Sequence, residues 1–198
     1  MQKPFGNYEQ EYAAFHWEVP RSFNFGRDVV DAIAAEDPGR LALLWCDAHG
    51  AEERYSFDTI SRLSSQFANL LQGQGVRRGD RVIVMLPRVP QWQVAMVGCI
   101  KLGAIPIPCI DMLTAKDIAY RIGNSGAVAA VTTSEQVLKF EGCAGIRVRV
   151  AVGGAPGWLD FAAAMSAQDE AFECADMAAE EPALLFYTSG STGMPKGV

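Results

Sequence analysis

The run Val82–Leu86 constrains the fold of this 198-residue chain more than any other stretch. Five apolar residues follow Asp80 and Arg81 without a polar break. A half-exposed strand would alternate, and a helix would need a longer amphipathic pattern. The run therefore reads as a strand covered on both faces, as in sheets flanked by helices. Upstream, Leu41–Trp45 reads as a strand. Phe57–Leu71 reads as an amphipathic helix with Phe57, Ile60, Leu63, Phe67, Leu70 and Leu71 on one face. Ser56 suits its N-cap, Asp58 its positive end and Gly73 its stop.

The alternation continues downstream. Pro90 opens a second helix that runs to Leu102 and stops at Gly103. Ile105–Ile110 carries Pro106 and Pro108, so it reads as an edge strand or an extended connection. Thr114 with Asp117 is a capping box for a helix through Ile122. Val128–Val131 is a strand, Thr132 with Glu135 caps a short helix, and Val148–Val152 is a strand. Gly153–Gly157 is a turn, Trp158–Met165 a helix, and Leu184–Tyr187 a buried strand. Strand, helix, strand, helix at this spacing gives an α/β fold with a largely parallel sheet. Ligands in such sheets sit beyond the carboxyl ends of strands.

Composition narrows the partners. At 49% hydrophobic and 20% charged, the chain is an ordinary globular sequence, long enough for a core without staples. The formal charge of -6 arises in one run, Asp169–Glu181, which is read as a solvated stretch. No basic stripe exists for nucleic acid. The most apolar stretch, Val94–Ile110, is broken by Lys101 and two prolines, so no membrane span is expected. The five cysteines (Cys46, Cys99, Cys109, Cys143, Cys174) include no CxxC pair, and they suit a reducing compartment. His16 and His49 read as surface or loop residues. Glu9, Glu11 and Glu18 argue against a leader peptide, so the expected location is cytoplasmic. Trp92, Met96 and Val97 read as helix core, and Arg77, Arg78 and Arg81 as solvated turn residues.

The chemistry gathers at the end: Tyr187-Thr188-Ser189-Gly190-Ser191-Thr192-Gly193-Met194-Pro195-Lys196-Gly197-Val198. Its glycines allow positive φ and close approach to the backbone. Successive N–H groups can form a nest for an anion. Thr188, Ser189, Ser191 and Thr192 add hydroxyl donors, and Lys196 adds a cation. No acid is present, so the fitting ligand is a polyphosphate. A Walker A loop needs Gly where Pro195 stands and a hydroxyl residue where Gly197 stands, so that motif is excluded. A Gly/Ser linker has similar composition but would not follow a strand with Pro and Lys so placed.

This closing segment resembles the phosphate-binding signature of the adenylate-forming acyl/aryl-CoA synthetase family, the AMP-dependent synthetases and ligases. Tyr55-Ser56-Phe57 and Lys101–Pro108 resemble two further family segments. Phe23–Asp31 and Leu86–Ile122 are most similar to the medium-chain acyl-CoA synthetase subgroup.

The resemblance implies that residues 1–198 are part of the large N-terminal AMP-binding domain, with 1–24 its N-terminal extension, 25–187 an α/β subdomain and 188–198 the phosphate-binding loop, and that the remainder of that domain and the C-terminal domain are absent. It implies ATP, Mg2+ and coenzyme A as cofactors, and a medium-chain fatty or aromatic acid as substrate. The acid would be converted to acyl-AMP with release of pyrophosphate, and then to acyl-CoA. Thr188, Ser189, Gly190, Ser191, Thr192, Gly193 and Lys196 would bind the ATP phosphates. In the family the adenine and ribose contacts, the acid that helps hold Mg2+, most of the acyl pocket and the catalytic lysine come after this signature. Lys196 is not that lysine, no catalytic or metal-binding residue is assigned, and the 198 residues alone are expected to be inactive. Two alternatives stay open: a non-catalytic nucleotide-binding module or decayed remnant, and an adenylating enzyme with an acceptor other than CoA.

Overall fold

A computed structural model describes residues 6–188 and 193–198. Helix α1 (Tyr8–Ala14) lies exposed on all sides. A π-helical turn, Gly26–Asp31, continues into α2 (Ala32–Glu36). Strands β1 (Leu41–Cys46) and β2 (Glu52–Ser56) form an antiparallel hairpin. Helix α3 (Phe57–Gly73) follows, with the Ser56 hydroxyl accepting from the Thr59 amide at 3.2 Å. The remainder alternates β3 (Arg81–Val84), α4 (Pro90–Leu102), β4 (Ile105–Pro108), α5 (Ala115–Ser125) and β5 (Ala129–Thr133). A 3-10 helix at Ser134–Phe140, β6 (Val148–Val152), β7 (Leu159–Asp160) and α6 (Phe161–Ser166) complete the main body.

The expected fold class is observed. Five strands form one sheet in the order β4-β3-β5-β6-β7, and every pair is parallel. Val82 and Val84 face the layer of α3, α4 and α6, with Phe67, Val97 and Phe161 in the same cluster. Ile83 and Met85 face Ile118, Ile122 and Phe140 on the opposite side. Burial on both faces is why Val82–Leu86 has no polar alternation. Ile105 and, just past β4, Cys109 donate to the carbonyls of Asp80 and Val84, so these positions face β3. Pro106 and Pro108 then fall where an N–H would point off the sheet, which is what an edge strand tolerates.

The boundaries correct several expectations. Thr132 does not cap a helix: its buried hydroxyl donates to the Met85 carbonyl at 2.9 Å, tying β5 to the end of β3. The helix expected from Trp158 starts later, because Leu159–Asp160 pairs with β6 and Asp160 caps α6 through the Ala163 amide. Leu184–Tyr187 is not a buried strand. Leu184 and Phe186 are exposed, and the strand here is the short Tyr187–Thr188 (β8), paired with Lys196–Gly197 (β9).

Lys101 is a buried node, although it interrupts an apolar stretch. Its side chain is 0% exposed, and Nζ donates to Asp31 Oδ1 at 2.5 Å, Ser65 Oγ at 2.9 Å and the Ser61 carbonyl at 3.0 Å. The pair joins the π-helical turn to α3 and α4. A side chain at Gly26 would place its Cβ 2.3 Å from Lys101 Cγ, so this close approach needs glycine. Asn24 seals the same corner, donating to the carbonyls of Ile100 and Ala175 at 2.9 and 3.0 Å. The acidic run is pinned as well as solvated. Glu170 pairs with Arg62, Asp176 with Arg27 and Glu181 with Arg78. Arg78 is therefore no free turn residue, and Arg81 bridges to the carbonyls of Ser125 and Gly126.

Candidate functional site

The chain returns to the edge of the sheet at its end. Leu185 donates its amide to the outward carbonyl of Pro106 in β4 at 3.1 Å. From there β8 and β9 form an antiparallel pair in which Thr188 stands opposite Lys196 and Tyr187 opposite Gly197. Phe186 and Val198 extend the pairing with two backbone bonds, at 2.9 and 2.8 Å. Gly193 has φ 106, a conformation that favours glycine, and nothing lies within 4 Å of where its Cβ would be. Thr188, Gly193 and Lys196 are exposed, and no ion pair forms at Lys196 among the described residues. Of the residues expected to bind phosphate, these three are brought to one hairpin; Ser189, Gly190, Ser191 and Thr192 lie outside the described residues.

Beside this hairpin a cleft of about 990 Å³ opens beyond the carboxyl ends of β3 and β4. Leu86, Val89, Trp92, Ile110 and Met112 give it apolar walls, and Phe186 and Tyr187 bring the hairpin's root into it. This is where an open α/β sheet takes ligands. Trp45 Nε1 donates to the Arg88 carbonyl at 2.7 Å, holding β1 against the rim. Met96 and Val97 are core, as expected, and Trp92 packs against that core while also lining the cleft.

Arg121 supplies the nearest buried charge. It is 8% exposed, borders the cleft, and its guanidinium lies 5.2 Å from the Tyr187 ring centre. Cys109 shares the wall, but burial pushes its thiol up to about 11, against the opposing pull of Arg121. A neutral thiol is a poor nucleophile, so Cys109 is a packing residue here. Partial burial likewise raises the Tyr187 phenol above its ordinary value. Among the described residues no group of three or more His, Cys, Asp or Glu could hold a metal ion, and no helix is long and apolar enough to cross a membrane.

An apolar cleft next to a donor-rich hairpin suits a ligand with a greasy part and a polyanionic part. Sequence reasoning found the donor-rich segment, read as a loop rather than a hairpin, but missed Tyr120, Arg121 and Asn124 of α5, which touch it. Their only local signal is the i, i+4 spacing of Tyr120 and Asn124 on a strongly capped helix.

Comparison with known proteins agrees with this architecture. Residues 30–198 match the family described as AMP-binding enzyme. Acyl-coenzyme A synthetase ACSM2, mitochondrial, of Rattus norvegicus is 36% identical over 193 residues, covering 91% of this chain and 34% of the relative. Acyl-coenzyme A synthetase ACSM3, mitochondrial, of Homo sapiens is 34% identical over 204 residues, covering 97% of this chain and 35% of the relative. The chain thus spans about a third of the length of these curated relatives. The crystal structure of a Brucella canis acyl-CoA synthetase superposes with a TM-score of 0.88 at 25% identity, over 98% of this chain and 38% of that one. An anthranilate CoA ligase crystallised with anthranoyl-AMP shares the fold, with a TM-score of 0.81 at 24% identity, over 91% of this chain and 34% of its own. The match spans 169 of the chain's 198 residues, so the chain belongs to the AMP-binding enzyme family.

Proposed function

We propose that this chain supplies the phosphate-gripping part of an acid–thiol ligase. Such an enzyme activates a carboxylic acid with ATP and transfers the acyl group to coenzyme A. The observation that carries this reading is the hairpin in which Thr188 stands opposite Lys196 beside an apolar cleft.

The chemistry explains why donors must gather there. A carboxylate oxygen attacks the α-phosphorus of ATP, the bond to the bridging oxygen breaks, and pyrophosphate leaves. Nucleophile and triphosphate are both anionic, so attack requires the phosphates to be neutralised and held in line. The Lys196 ammonium, the Thr188 hydroxyl and the backbone at Gly193 fit that task, together with Ser189, Gly190, Ser191 and Thr192. They would hold the β- and γ-phosphates and then the departing pyrophosphate. The thiolate of coenzyme A next attacks the acyl carbon and AMP departs. Mg2+ would add positive charge at the phosphates, but no described residue cluster suits it, and no step here is assigned to it.

A medium-chain fatty or aromatic acid is the proposed substrate. The stretches Phe23–Asp31 and Leu86–Ile122 support it, as do relatives named acyl-coenzyme A synthetases. All five cysteines are free thiols, which supports a reducing compartment.

The test is ATP–pyrophosphate exchange by the full-length protein across a panel of carboxylic acids, followed by thioester formation with CoA. Exchange that depends on one class of acid is expected. Exchange with none, in a protein that is folded and binds ATP, would overturn the reading. The isolated 198 residues are expected to form no thioester.

A further inference from the structure

Helix α5 is a wall shared by the cleft and the closing hairpin. Tyr120 donates its hydroxyl to the carbonyl of Pro195 at 2.9 Å, one residue before Lys196. On the other arm, the Tyr187 hydroxyl donates to Asn124 Oδ1 at 2.7 Å. The Arg121 guanidinium covers the Tyr187 ring at 5.2 Å, and the rings of Tyr120 and Tyr187 meet edge to face at 6.3 Å. One helix therefore holds both arms of the hairpin, on either side of the paired Thr188 and Lys196.

The helix is fit for that work. Thr114 and Asp117 close a capping box at its start, and Ile118 and Ile122 are buried against the sheet. Arg121 is anchored further by a bond from Nη1 to the Asp117 carbonyl at 3.1 Å. The hairpin needs such support. An isolated two-stranded hairpin is marginal in water, and this one has only short arms. Left to itself, Lys196 would sample many positions, and each long side chain that must be fixed on binding weakens the grip.

We propose that Tyr120 is a positioning residue for Lys196, with Arg121 and Asn124 fixing the opposite arm through Tyr187. In this arrangement α5 sets where the ammonium stands relative to the polyphosphate. This rests on the reading of the hairpin as the phosphate grip. Tyr120 does not line the cleft, so binding of the acid should not respond.

The experiment uses the full-length protein with ATP, pyrophosphate and its best acid in the exchange assay. Tyr120→Phe removes one hydroxyl and keeps the ring. The KM for ATP should rise about three- to tenfold, the net worth of a hydrogen bond, while the KM for the acid and the melting temperature hold. In a Lys196→Ala background the same change should add less than about twofold, because the group being positioned is gone. An unchanged KM for ATP in Tyr120→Phe, with Lys196→Ala strongly impaired, overturns the positioning role alone. A parallel loss in acid KM and melting temperature also overturns it, since that marks a merely structural residue. An unimpaired Lys196→Ala overturns the phosphate grip itself, and the positioning role falls with it.

Discussion

Lys101 offers the sharpest test of what holds this part of the fold together. Lys101→Met keeps the length and volume of the side chain but removes the ammonium. Asp31 then loses its cation at 2.5 Å, and Ser65 Oγ and the Ser61 carbonyl lose a donor at 2.9 and 3.0 Å. Breaking a buried pair by removing one partner costs about 3–5 kcal/mol. The Asp31 side chain is 31% exposed, so water recovers part of that, and about 2 kcal/mol is the expected loss. The assay is native-state hydrogen exchange in α3 and α4 of the full-length protein, which reads local stability without requiring two-state unfolding. Exchange should accelerate roughly thirtyfold at amides that open with this unit. Asp31→Asn should also destabilise, and the double variant should lose less than the sum of the singles. A Lys101→Met protein that exchanges within twofold of the parent, or strict additivity, would refute the account of Lys101 as a paired buried charge.

The remaining predictions concern packing, thiols and acid. A Cβ at Gly98 would meet the Ser64 carbonyl at 2.8 Å and Phe67 Cδ1 at 2.9 Å, so Gly98→Ala should destabilise by about 1–3 kcal/mol in a melting experiment. At Gly73 nothing lies within 4 Å, so Gly73→Ala should be neutral or stabilising by about 0.5 kcal/mol. Iodoacetamide followed by mass spectrometry should label exposed Cys46 first. Cys109 and Cys174, pushed by burial up to about 11 and about 12, should be labelled late, and Cys99, raised further by full burial, last. Hydrogen bonds from Thr114 hold the Asp117 carboxyl below its ordinary value. Its contribution to α5 is therefore complete above the ordinary aspartate range and is lost as pH falls through the lowered value. Amide exchange in the first turn of α5 should rise in that acid range, and Asp117→Asn should remove the pH dependence.

The parts legible in the sequence are those set by local physics. Caps at Ser56 and Thr114, the left-handed Gly103 and the uninterrupted run Val82–Leu86 are decided by neighbours a few residues away, and the structure has each of them. Strand β2 escaped because Glu52, Glu53 and Arg54 are charged and exposed; only pairing with β1 makes them a strand. Lys101 looked like an interruption because its partner Asp31 is 70 residues distant. Tyr120 gave no signal beyond its i, i+4 spacing with Asn124 for the same reason, since it meets Pro195 across 75 residues. Leu184–Tyr187 carried the apolar run of a buried strand, yet it lies outside the five-stranded sheet with Leu184 and Phe186 exposed. In the candidate site, composition disclosed the donors, whereas the cleft and its Arg121 wall depend on how separate strands end together.

The central claim is that the hairpin carrying Lys196 grips a polyphosphate. Its most direct test is the KM for ATP of Lys196→Ala in acid-dependent pyrophosphate exchange by the full-length protein. Loss of a charged hydrogen bond to phosphate predicts a rise of about ten- to a hundredfold, with the KM for the acid unchanged. An ATP KM equal to that of the parent would contradict it.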